Sequence, residues 1–542
     1  MPILPELQHL PIELLIFLLY AETHYKFKGI YSRFKKQEPE IIADTPHRIE
    51  PGLPLPIFLL IKDADKYPIT LDTVQISVDH ADRSFQKSFR FSENISVPFW
   101  SKALFVDLPG YFSEHVSVNV RIEINGLLGQ KTYHNDNYRI SSHAPFAVYL
   151  AKEKLPAESN WFFGDLHTHS NYTSDQVEFG APMSAIVKAA RAIGLRFVAV
   201  TDHSYDLDDH FDNYLKNHPG LPKWNAFLRE VNEMNSQNSA FAIIPGEEVS
   251  CGNGHNRNIH FLIFNSPEFF KGYGDSAERW FRTRPQLRAT EILDRLPEGA
   301  LAYAAHPEIM PPFLQRVLIS RGRWLTGDYQ HSRLNGMQIL NGERDKWFEH
   351  GVQKWAELLL EGQKLYIIAG NDAHGNFNRS RQIRTPFFTM EESHKEILGK
   401  CRTGLLMENG FSQNGVQKAL KNGNAIITDG PFASFKLVGA KKSAVIGEEI
   451  VDQNLKLEIS AKSTPEFGRL KRVTVYCGDL EEKKESEIFQ NGLADYSYQQ
   501  VLAFPLQPVS KGYVRLEVLS QKGEKTFRCL TNPVWFRTGL GE

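Results

Sequence analysis

Between residues 50 and 150 apolar and polar positions alternate. Val116, Val118, Val120, Ile122 and Ile124 are separated by Ser117, Asn119, Arg121 and Glu123, a period of two that puts the apolar side chains on one face of a strand. Shorter runs at Val74, Ile76, Val78 and at Phe146, Val148 are set off by Gly, Asn and Asp turns, and together they predict a small β-sandwich. Ahead of it, the apolar stretch 12–21 follows Pro11 and carries Glu13, which predicts a buried helix. At about ten residues it is far short of the roughly 20 that a membrane-spanning helix needs.

From residue 160 the pattern changes. Short apolar runs now alternate with longer amphipathic stretches, which predicts βα units around a parallel sheet. Phe162 and Phe163 open one strand, 181–192 reads as the following helix, and Phe197, Val198, Ala199 and Val200 form a second strand. Further strands are expected at 240–244, 259–264, 301–305, 337–340 and 365–369, and about seven such strands would close a barrel. Trp224, Phe227, Val231 and Met234 recur at helical spacing and read as packing. After residue 430 short alternating strands return, as in Leu455, Leu457, Ile459 and in Val514, Leu516, Val518, predicting a second β-sandwich.

The 542 residues exceed what one hydrophobic core usually serves. The pattern divides them into an N-terminal helix and sandwich (1–155), an α/β barrel (156–428) and a C-terminal sandwich (429–542). A net charge of -2 and a pI near 6.8 give no electrostatic grip on nucleic acid or on an anionic membrane. Cys251, Cys401, Cys477 and Cys529 are far apart with no Cys-x-x-Cys pair, which argues against a thiolate metal site or a disulfide framework. No basic residue precedes the 12–21 stretch and no small-x-small cleavage site follows it, so a cytoplasmic location is expected.

Nearly every strand of the central segment ends in groups able to bind a metal. His167 and His169 end the first, Asp202 and His203 the second, Glu247 and Glu248 the third; His260 lies in the fourth, His306 ends the fifth, and Asp372 and His374 follow the last. In a parallel barrel these ends converge on one mouth. His167 and His169, two apart on a strand, point to the same side. Asp206, Asp208, Asp209 and Asp212 lack the Gly and terminal Glu of a calcium loop and read as a solvated loop. Cys251 reads as a packing residue.

The motifs Asp165-Leu166-His167-Thr168-His169-Ser170, Thr201-Asp202-His203-Ser204, Pro245-Gly246-Glu247-Glu248, Ala305-His306-Pro307 and Asn371-Asp372-Ala373-His374-Gly375 resemble, in this order, those of the polymerase and histidinol phosphatase (PHP) family. The likeness covers 160–385. It implies a distorted (β/α)7 TIM-like barrel, here flanked by the two sandwiches, which holds two or three divalent ions and attacks phosphorus with metal-activated water. Carried over by motif, His167, His169, Glu248 and Asp372 bind one ion. Glu248 bridges to a second held by His260 and His306, and Asp175, His203 and His374 bind a third. Asp175, His203, Glu248 and His374 are also the residues it implies for catalysis. Asp175 stands where the family often has histidine, so a two-metal centre is an alternative. The stretch 254–260 offers two histidines for one ligand position: His260 in the strand-like run, with His255 as the alternative.

Mixed nitrogen and oxygen ligands suit Mn, Fe or Zn better than Ca. Arg257, Arg344, Arg379 and Arg381 lie in loops near the motifs, where guanidinium groups either face solvent or clamp an anionic small-molecule substrate. The join 422–431, with a sandwich after it, resembles a PHP subgroup that includes carbamate and amide hydrolases. Hydrolysis of an amide, carbamate or carboxylic ester is therefore the alternative to phosphoester cleavage. A third reading, a binding module with an inactive centre, has the completeness of the ligand set against it.

Overall fold

The computed structural model describes residues 38–138, 141–173, 180–211, 213–274, 283–379, 394–492, 497–507 and 509–539. The helix expected over 12–21 lies outside them, as do Asp175, Asp212 and Arg381. The described chain is built mainly of β-strands.

In the N-terminal part the alternating run becomes the strand Glu114–Gly126, paired with Ile69–His80 on one side and Phe146–Leu150 on the other. Its inward Val116, Val118, Val120, Ile122 and Ile124 join Ile57, Leu59 and Ile61 of Leu55–Lys62, a strand of a second, three-stranded sheet. Two sheets thus enclose an aliphatic core, and strand periodicity alone accounts for which residues enter it.

The central part begins with β1 (Trp161–Thr168), α1 (Met183–Ile193), β2 (Phe197–Val200), α2 (Pro222–Ser236), β3 (Ala242–Gly252) and β4 (Asn258–Phe264). It continues through α3 (Ala289–Arg295), β5 (Leu301–Ala304), α4 (Phe313–Leu318), β6 (Gly336–Asn341), α5 (Lys346–Leu360), β7 (Tyr366–Gly370), β8 (Arg402–Leu406), α6 (Gln413–Asn422) and β9 (Ala425–Thr428). The expected strands are all present, and Trp224, Phe227 and Val231 are buried on α2. The sheet order is β7-β6-β5-β4-β3-β2-β1-β8-β9.

Not every neighbour is parallel. The pairs β1–β2, β2–β3, β5–β6 and β6–β7 are parallel, but β3–β4 and β4–β5 are antiparallel. The cause lies in the sequence: β3 runs on past Glu248 to Gly252, and the loop 253–257, rich in Gly and Asn, is too short for the crossover that a parallel pair requires. β3 and β4 therefore form a hairpin.

The seven strands curl until β1 and the end of β7 meet. Thr168 and Ala373 form an isolated parallel bridge, and the His169 N–H donates to the Ala373 carbonyl at 2.8 Å. The approach requires a glycine, because a Cβ on Gly370 would stand 2.5 Å from His167 Cβ. A bridge, not a continuous ladder, joins the two edges, and the sheet runs on from β1 into β8 and β9.

It also runs on into the C-terminal part. β9 pairs antiparallel with Lys525–Thr531, which pairs with Lys511–Lys522 and so with Arg469–Asp479. Opposite lies a four-stranded sheet built on Phe432–Val438 and Leu455–Lys462. Phe435, Leu457 and Ile459 belong to one core with Val473, Val475, Leu516 and Val518. A buried arginine ties the three parts together: Arg48 pairs with Glu50 at 2.7 Å and Glu466 at 2.8 Å, and donates to the Ile193 carbonyl at 2.6 Å. All four cysteines are buried thiols, and among the described residues no helix is long and apolar enough to cross a membrane.

Candidate metal centre

Side chains from six strand ends and loops converge where the curled sheet meets itself. His167 and His169 come from the end of β1, as their two-residue spacing requires, and their Nε2 atoms are 3.2 Å apart. His203 follows β2 directly before a short helical turn and bridges by its backbone to Glu248. Glu248 lies within β3, and its N–H donates to Asp202 O at 3.1 Å. His260 sits on β4, paired in register with Ser250, two residues along the same face from Glu248. His306 and Asp372 follow β5 and β7 with φ of 29° and 53°. Left-handed backbone at non-glycine residues costs of order 1–3 kcal/mol each and collects at functional sites.

The donors fall into three overlapping groups. One is His167, His169, Glu248 and Asp372; the second is Glu248, His260 and His306; the third is His169, His203 and His374. In the first, Glu248 Oε2 is 3.2 Å from His167 Nε2 and 3.4 Å from His169 Nε2, and Asp372 Oδ1 is 3.2 Å and 3.0 Å from them. In the second, Glu248 Oε1 is 2.6 Å from His260 Nδ1 and 3.3 Å from His306 Nε2. Four ligands at metal bonds of 2.0–2.1 Å stand about 3.3 Å from one another in a tetrahedron, so the first group already has the spacing of a coordination shell.

The chemistry of the donors fits a cation for a further reason. Both oxygens of Glu248 and both ring nitrogens of His203 are buried with no hydrogen bond of sound geometry. Buried polar atoms in that state cost free energy unless something else satisfies them, and nitrogen and carboxylate lone pairs facing one point are satisfied by a metal. Burial disfavours a charged His167, but Asp372 and Glu248 outweigh it and push its pKa up to about 9. Burial works against Glu248 ionising too, yet His260 and His167 hold its carboxyl well below the usual range. Burial and the adjacent His169 drive His203 well below an ordinary imidazole, so its ring is neutral.

A second layer sets ring orientation. The Gln338 side-chain oxygen lies 2.8 Å from His167 Nδ1, and Gln338 Nε2 donates to Asn341 Oδ1 at 2.9 Å. An amide oxygen accepts, so His167 donates from Nδ1, which leaves Nε2 facing the cluster as the nitrogen that would lose its proton to bind a cation. His374 likewise faces the Asp372 carbonyl with Nδ1 at 3.0 Å. Asp165 accepts from the N–H groups of His167, Asn371 and Gly399 and from Asn371 Nδ2, tying β1 to the loop that carries Asp372. Asp202 accepts from Ser170 and Thr173, fixing the loop after His169. Glu247 faces away from the cluster to Ser204 Oγ at 2.9 Å and the Phe270 N–H at 3.0 Å, and burial raises its pKa to about 8.

Other expectations meet a different structure. His255 is exposed in the β3–β4 loop, apart from the cluster that includes His260. Arg344 pairs with Asp429 at 2.6 Å and reaches Thr526, so it fastens the C-terminal part. Arg379 donates to the Ala144 carbonyl and lies over Phe146, on the N-terminal side. Arg257 is exposed and donates to the Arg316 carbonyl at 2.9 Å. Their loops lie near the motifs in sequence, but these guanidinium groups are engaged elsewhere. The acidic run is not solvated either: Asp206 and Asp209 are fully buried, covered by Asn213–Asn217 and α2, and Lys223 Nζ stands 3.7 Å from Asp209.

The sequence reading passed over Gln338, for which a lone Gln in an apolar strand gives no signal, and Arg321. Arg321 contacts both ring nitrogens of His260, Nη2 at 3.0 Å from Nδ1 and Nη1 against Nε2. It belongs to no motif. Asp165 and Asn371 were visible inside the quoted motifs, though not their roles.

The sequence matches no protein-family model and no curated protein. Among solved structures it is similar to a calcium-binding mutant of Bacteroides uniformis β-glucuronidase 2, at 11% identity over 92% of this chain and 60% of that one, with a TM-score of 0.16. A glycosyl hydrolase family 2 member from Bacteroides cellulosilyticus (9% identity, 94% and 64% covered, TM-score 0.17) and Parabacteroides merdae β-glucuronidase (9%, 93% and 66%, 0.18) are comparable. The chain spans less than two thirds of these proteins. At such TM-scores the likeness carries no argument about fold or chemistry.

Proposed function

We propose that the protein is a metal-dependent phosphoesterase of the PHP type and that its curled seven-strand run is a distorted (β/α)7 barrel. The observation that carries this reading is Glu248, a buried carboxylate shared by two groups of ligands, as a bridge between two cations would be. The motif resemblance supplies the reaction class. Two or three ions of the Mn, Fe or Zn kind would supply Lewis acidity and a water activated near neutral pH.

The chain's own residues do the rest. Gln338 fixes the His167 tautomer, and Asp165 and Asn371 hold β1 and the Asp372 loop at a constant separation. Glu248, kept ionised by His260 and His167, would offset the charge of the cations it holds. His203, held neutral by burial and by the adjacent His169, lies 3.2 Å from Glu248 Oε2 and would complete the third group of ligands with His169 and His374. The test is hydrolysis of p-nitrophenyl phosphate, bis(p-nitrophenyl) phosphate and p-nitrophenyl acetate by Mn-loaded protein, with and without chelator. Chelator-sensitive turnover of a phosphate ester is expected.

Amide, carbamate or carboxylic ester hydrolysis is the second reading. The join 422–431 favours it, leading through β9 into the C-terminal sandwich as in the subgroup that this segment resembles. Turnover of the acetate ester alone would select it. Turnover of none of the three would favour a binding module.

A further inference from the structure

Arg402 opens β8 where the three parts of the chain meet, and it is only 2% exposed. Its Cζ lies 6.0 Å from the centre of the Phe163 ring on β1 and 5.1 Å from that of Phe467 in the C-terminal part. Nη1 donates to the Gly399 carbonyl at 3.4 Å, whereas Nε and Nη2 are buried and have no hydrogen-bond partner among the described residues. A guanidinium does not give up its proton in a protein. A buried charge with two unmet donors is costly unless an acceptor of opposite sign completes it.

The carboxylates nearby are engaged with other groups. Both oxygens of Glu466 accept from Arg48 Nε, at 2.9 Å and 2.8 Å, and Asp429 accepts from Arg344 Nε and from the Arg528 N–H, each at 2.6 Å. Among the described residues none forms an ion pair with Arg402. His47 shows the sign of the field on the other side. Its ring donates to the Leu398 carbonyl, next to the carbonyl that Arg402 uses, and burial, then the charges of Arg402, Arg48 and Lys400, push its pKa down to about 3. The Nε–H and Nη2–H bonds of a guanidinium form a parallel fork, which one halide or two oxygens of an oxyanion can accept together.

We propose that the Nε–Nη2 edge of Arg402 is a buried binding site for a small inorganic anion, halide or oxyanion, at the junction of the three parts; the proposal is independent of the reaction class proposed above. The site is one turn away from the groups that support the metal cluster. Gly399 N donates to Asp165 Oδ2 at 2.9 Å and Cys401 N donates to Asn371 Oδ1 at 2.9 Å. An anion on Arg402 therefore steadies the turn 398–402, and through it the two side chains that set the Asp372 loop.

The test follows thermal unfolding of the full chain, at fixed metal loading and matched ionic strength, in chloride, bromide, phosphate or gluconate, the last a bulky organic anion. Wild type is compared with Arg402→Met, which keeps an unbranched side chain but removes the donors, and with Arg257→Ala as a surface control. In wild type Tm should rise with the concentration of a halide or of phosphate, by about 2 °C or more over gluconate once the anion is well above its dissociation constant. Arg257→Ala should keep that rise and Arg402→Met should lose it. If Arg402→Met does not fold, wild-type crystals soaked in bromide or in arsenate, the heavier counterparts of chloride and phosphate, decide by anomalous diffraction: one of the two ions is expected in hydrogen-bond contact with Arg402 Nε and Nη2. The same Tm in all four salts, an undiminished rise in Arg402→Met, or neither ion against Arg402 in the crystals would overturn the proposal.

Discussion

The N-terminal sandwich and the central sheet bury opposite kinds of surface. Facing Leu55–Lys62, the strand Glu114–Gly126 presents only Val and Ile, and the core it forms is apolar, with Ala192 of α1 packed into it. At the end of β1 the same alternation presents His167 and His169, with Glu248, His260 and His203 also buried around them. Aliphatic burial contributes about 25 cal/mol per Å² whatever lies nearby. Burial of carboxylates and imidazoles is costly unless each finds a counter-charge. The sandwich core is therefore satisfied by apolar contact alone, whereas the central cluster gathers groups that could hold a metal ion.

Substitution can break that contrast at its sharpest point. Glu248→Gln keeps the volume but removes the charge, and kcat should fall at least about a hundredfold with loss of one metal equivalent; elemental analysis and steady-state kinetics read both. Glu247→Gln, whose side chain faces Ser204, should keep its metal, and the opposite ranking would mean that the wrong glutamate has been assigned to the ions. In the sandwich, Ile122→Ala should lower stability by about 2–5 kcal/mol in urea unfolding through the cavity it leaves, with metal content unchanged. A loss of metal there would show that the two regions are not independent.

Smaller effects sharpen the comparison further. Gln338→Ala leaves every ligand in place but frees the His167 ring, and metal affinity should drop about 10–100-fold, measured against a chelator of known affinity. Unchanged affinity would mean that the ring is held by packing alone. The smallest effect belongs to His255→Ala, which should match wild type in metal content and rate, while His260→Ala should lose both. Equal losses would place the exposed histidine at the centre after all.

Local periodicity made much of this legible. The valines of 116–124 and the run Phe197–Val200 point where a two-residue period says they should, and His167 and His169 share a face for the same reason. Strand direction was harder, since it is a property of the connection: the hairpin from β3 to β4 follows from the length of 253–257, not from the apolar pattern on either side. Contacts between remote segments were harder still. That Arg321 would lie on His260, that Gln338 would meet His167, and that Arg344 would turn to Asp429 depend on how loops pack over 61, 171 and 85 residues of separation. No short-range signal encodes such meetings.

The pairing of β9 with Lys525–Thr531 bears on how this chain could have been assembled or could be recombined. Its last hundred-odd residues do not hang from the central sheet as an exchangeable cassette. They cover the edge of β9 with main-chain hydrogen bonds, Ile426 opposite Thr531 and Thr428 opposite Cys529. A chain cut at 428 would bare that row of donors and acceptors and invite edge-to-edge association with its own copies. A swap with another family's C-terminal region would have to bring a strand of matching register. The two regions are therefore expected to be inherited together.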